Sequence, residues 1–188
     1  MDGELGMKID LEAAVMWFKE AAEGSNDDTQ IRLASAYNEG ALGLLTDEDE
    51  ALKWYREAAK GGNGYAQRRL GVAYEKGEFG VEIDLAAARA FYQEAAESAG
   101  HCTQWRLGWA YEDGELGVEI DLDAARTYFQ EAAEGGDRDA QHRLGWAYED
   151  GDLGVAINNE TALMWLHKAA KGGDVTLAMA AWSSLRGR

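Results

Sequence analysis

The side chains able to do chemistry in this 188-residue chain are few and scattered. A hydrolytic or acyl-transfer centre needs a nucleophile, a base and an orienting group brought together. The histidines, His101, His142 and His167, stand at unrelated places, and the nearest approach to a reactive pair is His101 beside Cys102. Adjacent helical residues point about 100° apart, so an ordinary, partly buried thiol is the expected reading. No HExxH or CxxC is present, and no glycine-rich phosphate loop follows a strand. The run Asp113, Glu115, Glu119, Asp121 lacks the alternating ligands of an EF-hand. With Asp121 needed as a helix cap, it offers at most a weak, nonspecific cation site. A single cysteine supports neither a disulfide framework nor a thiolate metal cage. No enzyme activity, metal or cofactor is therefore expected. What remains is a set suited to recognition: Trp105, Trp109 and Trp146 with His142, Glu112 and Glu149.

The elements that must position this set come from an internal repeat. Leu33, Leu70, Leu107 and Leu144 are each 37 residues apart, as are Tyr37, Tyr74, Tyr111 and Tyr148. Two glycine series keep the same step, Gly40, Gly77, Gly114, Gly151 and Gly43, Gly80, Gly117, Gly154; Gly3 and Gly6 extend both backwards. Each unit reads as two helices. Ala66, Leu70, Ala73 and Tyr74 make one apolar face closed by Gly77, and Ala88, Phe91, Tyr92, Ala95 and Ala96 make the next. Asp10, Asp47, Asp84, Asp121 and Asn158 are the expected N-caps of the second helices, with Gly24, Gly61, Gly135 and Gly172 as their stops. Only Asp47 with Glu50 has capping-box spacing. There is no proline, so the glycines must turn the chain, and alanine substitutions there should be costly. The alanine pairs 58/59, 95/96, 132/133 and 169/170 let helices approach, while Trp54, Phe91, Tyr128 and Trp165 are expected to fill the core. A two-helix unit cannot bury its stripe alone, so units stack. The expected architecture is all-α: a right-handed α-α superhelix, or α-solenoid, of about five helix-turn-helix units and ten helices. Residues 1–188 form one domain in this reading: a half repeat over 1–26, four helix pairs over 27–173 and a capping helix over 174–188, with Ala178, Trp182 and Leu185 as its apolar stripe.

Positions that differ between units carry whatever is particular to the chain. With Leu107 at the centre of the buried face, Trp105, Trp109 and Glu112 fall within about 40° of the opposite direction. The same columns hold Ile31, Ser35 and Asn38, then Arg68, Val72 and Glu75, and finally His142, Trp146 and Glu149. First helices are expected to line the concave side. Trp105, Trp109, His142 and Trp146 should then form an exposed aromatic patch rimmed by Glu112 and Glu149, with Arg68 and Val72 in the same columns. The patch reads as an anchor for a cationic segment with an apolar side chain, or alternatively as Trp109 and Trp146 packing on neighbouring helices. Arg32, Arg69, Arg106 and Arg143 are expected to pair with acids such as Glu39, Asp113 or Asp150, and Gln30, Gln67, Gln104 and Gln141 with loop backbone.

The string Ala66, Leu70-Gly71, Tyr74, Gly77, Gly80-Val81, Asp84, Ala88, Phe91-Tyr92, Ala95-Ala96, Gly100 resembles the Sel-1-like repeat, a relative of the tetratricopeptide repeat. The resemblance covers nearly the whole chain. Its glycine pair is separated by two residues, where that family commonly has one, and Ala34 and Asn158 replace the usual Gly and Asp. It implies a non-enzymatic scaffold or adaptor that binds proteins or peptides, with no catalytic residues to transfer. Carbohydrate binding through exposed Trp is a second reading, and an excised or engineered array with no natural ligand a third, suggested by a start inside a loop. Thirty-five acidic against eighteen basic residues give a charge of −17, which argues against nucleic acid. The stretch from Leu107 to Arg143 alone has ten acidic and three basic residues, which points to a cationic partner. No run approaches 18 apolar residues, and residues 1–4 lack a signal-peptide pattern. Membrane insertion is not expected, and a cytoplasmic monomer is favoured.

Overall fold

Asx side chains turning back on their own backbone begin most of the helices. In a computed structural model that describes residues 11–24, 26–98 and 100–171, Asp47 accepts from Glu50 N, Asp84 from Ala86 and Ala87 N, Asp121 from Asp123 and Ala124 N, and Asn158 from Thr161 N. These are the expected caps of the second helices. Asn26, Asn63 and Asp137 cap the first helices in the same way, whereas their counterpart Gly100 makes no side-chain cap. The capping box at Asp47 is half formed. Glu50 turns its carboxylate to Lys53 and Trp54 Nε1, because Asp47 N is already donating to the Tyr37 carbonyl. Asp10, Gly3, Gly6, Gly172 and the expected helix over 174–188 lie outside the described residues.

Nine helices follow among the described residues, each 13 residues long: α1 Leu11–Glu23, α2 Asp27–Glu39, α3 Glu48–Lys60, α4 Gly64–Lys76, α5 Leu85–Glu97, α6 His101–Asp113, α7 Leu122–Glu134, α8 Arg138–Asp150 and α9 Asn159–Lys171. At 1.5 Å per residue each is about 20 Å long. None of them is long and apolar enough to cross a membrane. They are paired helices of the all-α solenoid class that the repeat predicts. Contacts divide the chain into two compact units, Met1–Ile83 and Asp84–Arg188. In the first, α1 packs on α2, α2 on α3 and α3 on α4; in the second, each helix from α5 packs on the next through α9.

The core of the first unit is built on Leu33, Ala51, Tyr55, Ala58 and Leu70, all almost fully buried. That of the second is built on Tyr92, Leu107, Ala125, Phe129, Leu144 and Leu166. The large-residue register differs by one position from expectation. Phe91 and Tyr128 are only half-buried, and their successors Tyr92 and Phe129 take the interior. Trp54 and Trp165 are buried as expected. A one-residue step turns the side chain by about 100°, and with aromatic residues at both positions the pattern could not choose between them.

Glycine geometry corrects a second expectation. Gly40, Gly77, Gly114 and Gly151 close the first helices with φ of 67–79° as anticipated. Gly61 and Gly135 keep helical dihedrals, and the left-handed residue is the next one, Gly62 or Gly136. Between the paired glycines the sequence reading missed a bulky residue with positive φ: Leu42, Phe79, Leu116 and Leu153, at 51–58°. A left-handed L-residue costs about 1–2 kcal/mol. Phe79, Leu116 and Leu153 offset that cost by burying almost their entire side chains.

The glutamine column joins the units internally. Gln30 Nε2 donates to the Ala22 carbonyl, Gln104 to Ala96 and Gln141 to Ala133. The acceptors belong to the last turn of the preceding helix, where carbonyls lack intrahelical partners, and not to loop backbone.

Candidate functional site

The recognition residues of the second unit are arranged around a missing Cβ. Gly108 sits in the middle of α6, and a Cβ there would lie 2.5 Å from the Phe129 ring. Without it, Phe129 of α7 seats directly on the α6 backbone and is fully buried. Trp105 and Trp109, one turn apart on α6, then close on that ring at centroid distances of 5.1 and 5.8 Å and meet each other edge-on at 5.5 Å. They are consequently half-buried and not the free exposed surfaces that the helical wheel suggested. Trp146, on the next first helix α8, remains 44% exposed.

These side chains border one groove of about 580 Å³, lined by Trp105, Trp109 and Glu112 from α6, Asp139, His142, Arg143, Trp146 and Asp150 from α8, and Asp152 beyond it. Five of the sequence-derived residues, Trp105, Trp109, Glu112, His142 and Trp146, thus come together. Glu149 does not line the groove. Asp150, four residues from Trp146, supplies the acid there. Arg68 and Val72 belong to the first unit, where both are half-buried and the Arg68 guanidinium lies over the Tyr65 ring at 5.3 Å.

His142, expected on the exposed patch, is 7% exposed; its ring lies 5.8 Å from Trp146, and its Nδ1 is buried with no hydrogen-bond partner. Beside it, Arg143 is 7% exposed and holds two carboxylates at once. Its Nε and Nη2 donate to Glu112, and Nη2 also donates to Asp152 at 2.7 Å. Burial alone would make the guanidinium easier to deprotonate, but the hydrogen bonds it donates to Glu112 and Asp152 outweigh it and hold the proton more tightly than usual. Asp152 is held below the ordinary carboxylate range, first by the Leu153 N–H it accepts and then by Arg143. Glu112 is therefore spoken for by Arg143, which corrects its place as a rim acid.

The partners of the arginine column also differ from expectation. Arg69 pairs with Glu78, Arg106 with Glu115 and Arg143 with Asp152, in each case the acid immediately after the left-handed glycine. The helix-ending turn brings that residue back beside its own helix, whereas Asp113 and Asp150 precede it. Cys102 is exposed rather than partly buried. No group of three potential metal ligands occurs among the described residues, the Asp113–Asp121 run included. Chemically, the groove can hold a cationic or apolar side chain against indole surface under a negative rim.

Comparison with known proteins bears on what such a groove belongs to. A family model for the Sel1 repeat matches residues 1–26, 28–63, 64–99, 103–137 and 138–174. A search of curated proteins gives no match. Among solved structures, a Sel1 repeat protein from Oxalobacter formigenes is 34% identical with a TM-score of 0.82, covering 94% of this chain and 49% of its own. A protective antigen, c5321, of uropathogenic Escherichia coli displaying an SLR fold is 30% identical with a TM-score of 0.60, covering 90% and 44%. The cysteine rich protein B of Helicobacter pylori, 24% identical with a TM-score of 0.54, covers 72% of this chain and 95% of its own and shares the fold. The chain spans about half the length of the first two.

Proposed function

We propose, on the premise that the chain belongs to the Sel1 repeat family, that it is a binding scaffold whose second unit takes up a protein or peptide segment along α6 and α8. Sel1 repeat proteins are generally protein-interaction scaffolds, typically without enzymatic activity. The segment is cationic with an apolar anchor, and the anchor docks on Trp146 between Trp105, Trp109 and His142. Glu149 serves as a peripheral contact on the same helical column. The observation that carries this reading is the coincidence of a 44% exposed Trp with acidic lining in a single groove. Trp is enriched among interface hot spots, and a desolvated aromatic anchor typically contributes about 2 kcal/mol or more. A cation beside its face adds about 0.5–1 kcal/mol.

Trp146→Ala is the informative variant, because Trp105 and Trp109 support Phe129 and their removal would disturb the core. We expect basic, leucine-containing peptides to change the intrinsic fluorescence of the wild-type protein. Affinity should fall at least tenfold in Trp146→Ala while its circular dichroism and melting temperature stay close to wild type. Equal affinity in the two proteins, or a response to oligosaccharides and none to peptides, would sink the proposal.

A further inference from the structure

The groove also carries a spacing. Asp139, His142, Trp146 and Asp150 succeed one another at intervals of three, four and four residues and so form a single stripe along α8. The acids of the lining are not equivalent. Glu112 and Asp152 are both paired with Arg143, whereas Asp139 and Asp150 are exposed and have no ion-pair or side-chain hydrogen-bond partner among the described residues. Two uncompensated carboxylates therefore bracket one exposed indole. In the same wall His142 is more than nine-tenths buried with Nδ1 unpartnered, a polar atom that a donor from an occupant would satisfy.

Helix geometry converts the stripe into a ruler. Asp150 lies about 6 Å beyond Trp146 along the axis, and Asp139 about 10 Å before it. An extended peptide advances about 3.3 Å per residue and shows alternate side chains on one side. Two residues from the anchor reach Asp150. Four residues in the other direction reach past Asp139, and a long basic stem absorbs the difference.

Resting on the groove reading above, we infer that the occupant is an extended segment with two basic residues six positions apart and an apolar residue two positions from one of them. It lies along α8 with its apolar side chain on Trp146, one cation at Asp150 and the other at Asp139. Arginine suits both ends, because a planar guanidinium forks onto a carboxylate and stacks on indole.

The test uses the full chain and three blocked peptides: Arg-Ser-Leu-Ser-Ser-Ser-Arg, its reversal Arg-Ser-Ser-Ser-Leu-Ser-Arg, and the composition-matched scramble Arg-Arg-Ser-Ser-Ser-Ser-Leu. One of the first two should bind at least fivefold more tightly than the scramble at 0.1 M salt. Asp139→Asn and Asp150→Asn should each weaken it about twofold to fivefold, as for exposed ion pairs, while Glu134→Gln leaves it unchanged. Replacing one Arg of the better peptide by Ser should abolish the effect of one Asp→Asn change and preserve that of the other, which fixes the direction of the segment. If the scramble binds equally well and Trp146→Ala still abolishes binding, the spacing is wrong and the groove reading stands. If no peptide binds, or Trp146→Ala binds all three like wild type, both fall together.

Discussion

Gly108 has no side chain, yet it decides how three aromatic rings lie. Its missing Cβ admits Phe129, and Phe129 in turn holds Trp105 and Trp109 half-buried on one wall of the groove. Gly108→Ala should therefore destabilise the chain by about 1–3 kcal/mol, as overpacking does. Urea melts followed by Trp fluorescence would reveal it, and a change under 0.5 kcal/mol would contradict it. Gly145 has the corresponding relation to Leu166, with a Cβ 2.6 Å from that side chain. Asp152 makes a second residue-level prediction. Its folded pKa lies below that of the unfolded chain, so the unfolded state binds the extra proton. The resulting stabilisation is present above about pH 4 and fades as pH falls through the depressed folded value. Asp152→Asn should flatten the loss of stability of the wild type below pH 4, with little change in slope from pH 5 to 8. Parallel curves for the two proteins across the acid range would overturn the assignment. The aromatic members of the groove were legible as a helical-wheel coincidence. Their burial was not, because Gly108 reads in the sequence only as the second half of a recurring Leu-Gly pair, and the ring it admits lies on another helix.

At the scale of the element, the 37-residue period placed the described helices and named the caps Asp47, Asp84, Asp121 and Asn158. These signals are local: an Asx side chain and the N–H it accepts are two or three residues apart. What the pattern left open depends on tertiary context. Tyr92 and Phe129 win the interior over Phe91 and Tyr128 because of what faces them, and Leu116 and Leu153 accept a left-handed backbone because the core below receives them. The helix stops show the same limit. In the pair Gly135-Gly136 only the second has positive φ, 95°, with open space where its Cβ would go; the first is helical, and its Cβ would face the His101 side chain at 3.1 Å. Gly136→Ala should cost about 1–2 kcal/mol through backbone strain, and Gly135→Ala clearly less, since the imidazole can shift. Thermal melts of the two variants decide it; the reverse order would show that steric contact, rather than dihedral strain, governs this turn.

For the molecule as a whole, a charge of −17 is self-repelling and strongest per residue in the stretch that carries the groove. Raising NaCl from 50 to 500 mM screens that repulsion, and the buried Arg143 cluster is screened much less. The melting temperature should rise by about 2–4 °C, the equivalent of roughly 1 kcal/mol for a chain of this size. A fall would mean that exposed pairs such as Lys60 with Glu57 and Arg126 with Asp123 outweigh the repulsion. The joints made by Gln30, Gln104 and Gln141 have a different significance at this scale. Each spans eight residues of sequence, so it closes at small entropic cost and needs nothing from distant chain. A duplicated unit carries its own hinge pin with it. Such a protein can lengthen or shorten by whole units over evolutionary time without rethreading what is already folded, and a groove between neighbouring first helices can be retuned in one unit while the remainder keeps its form.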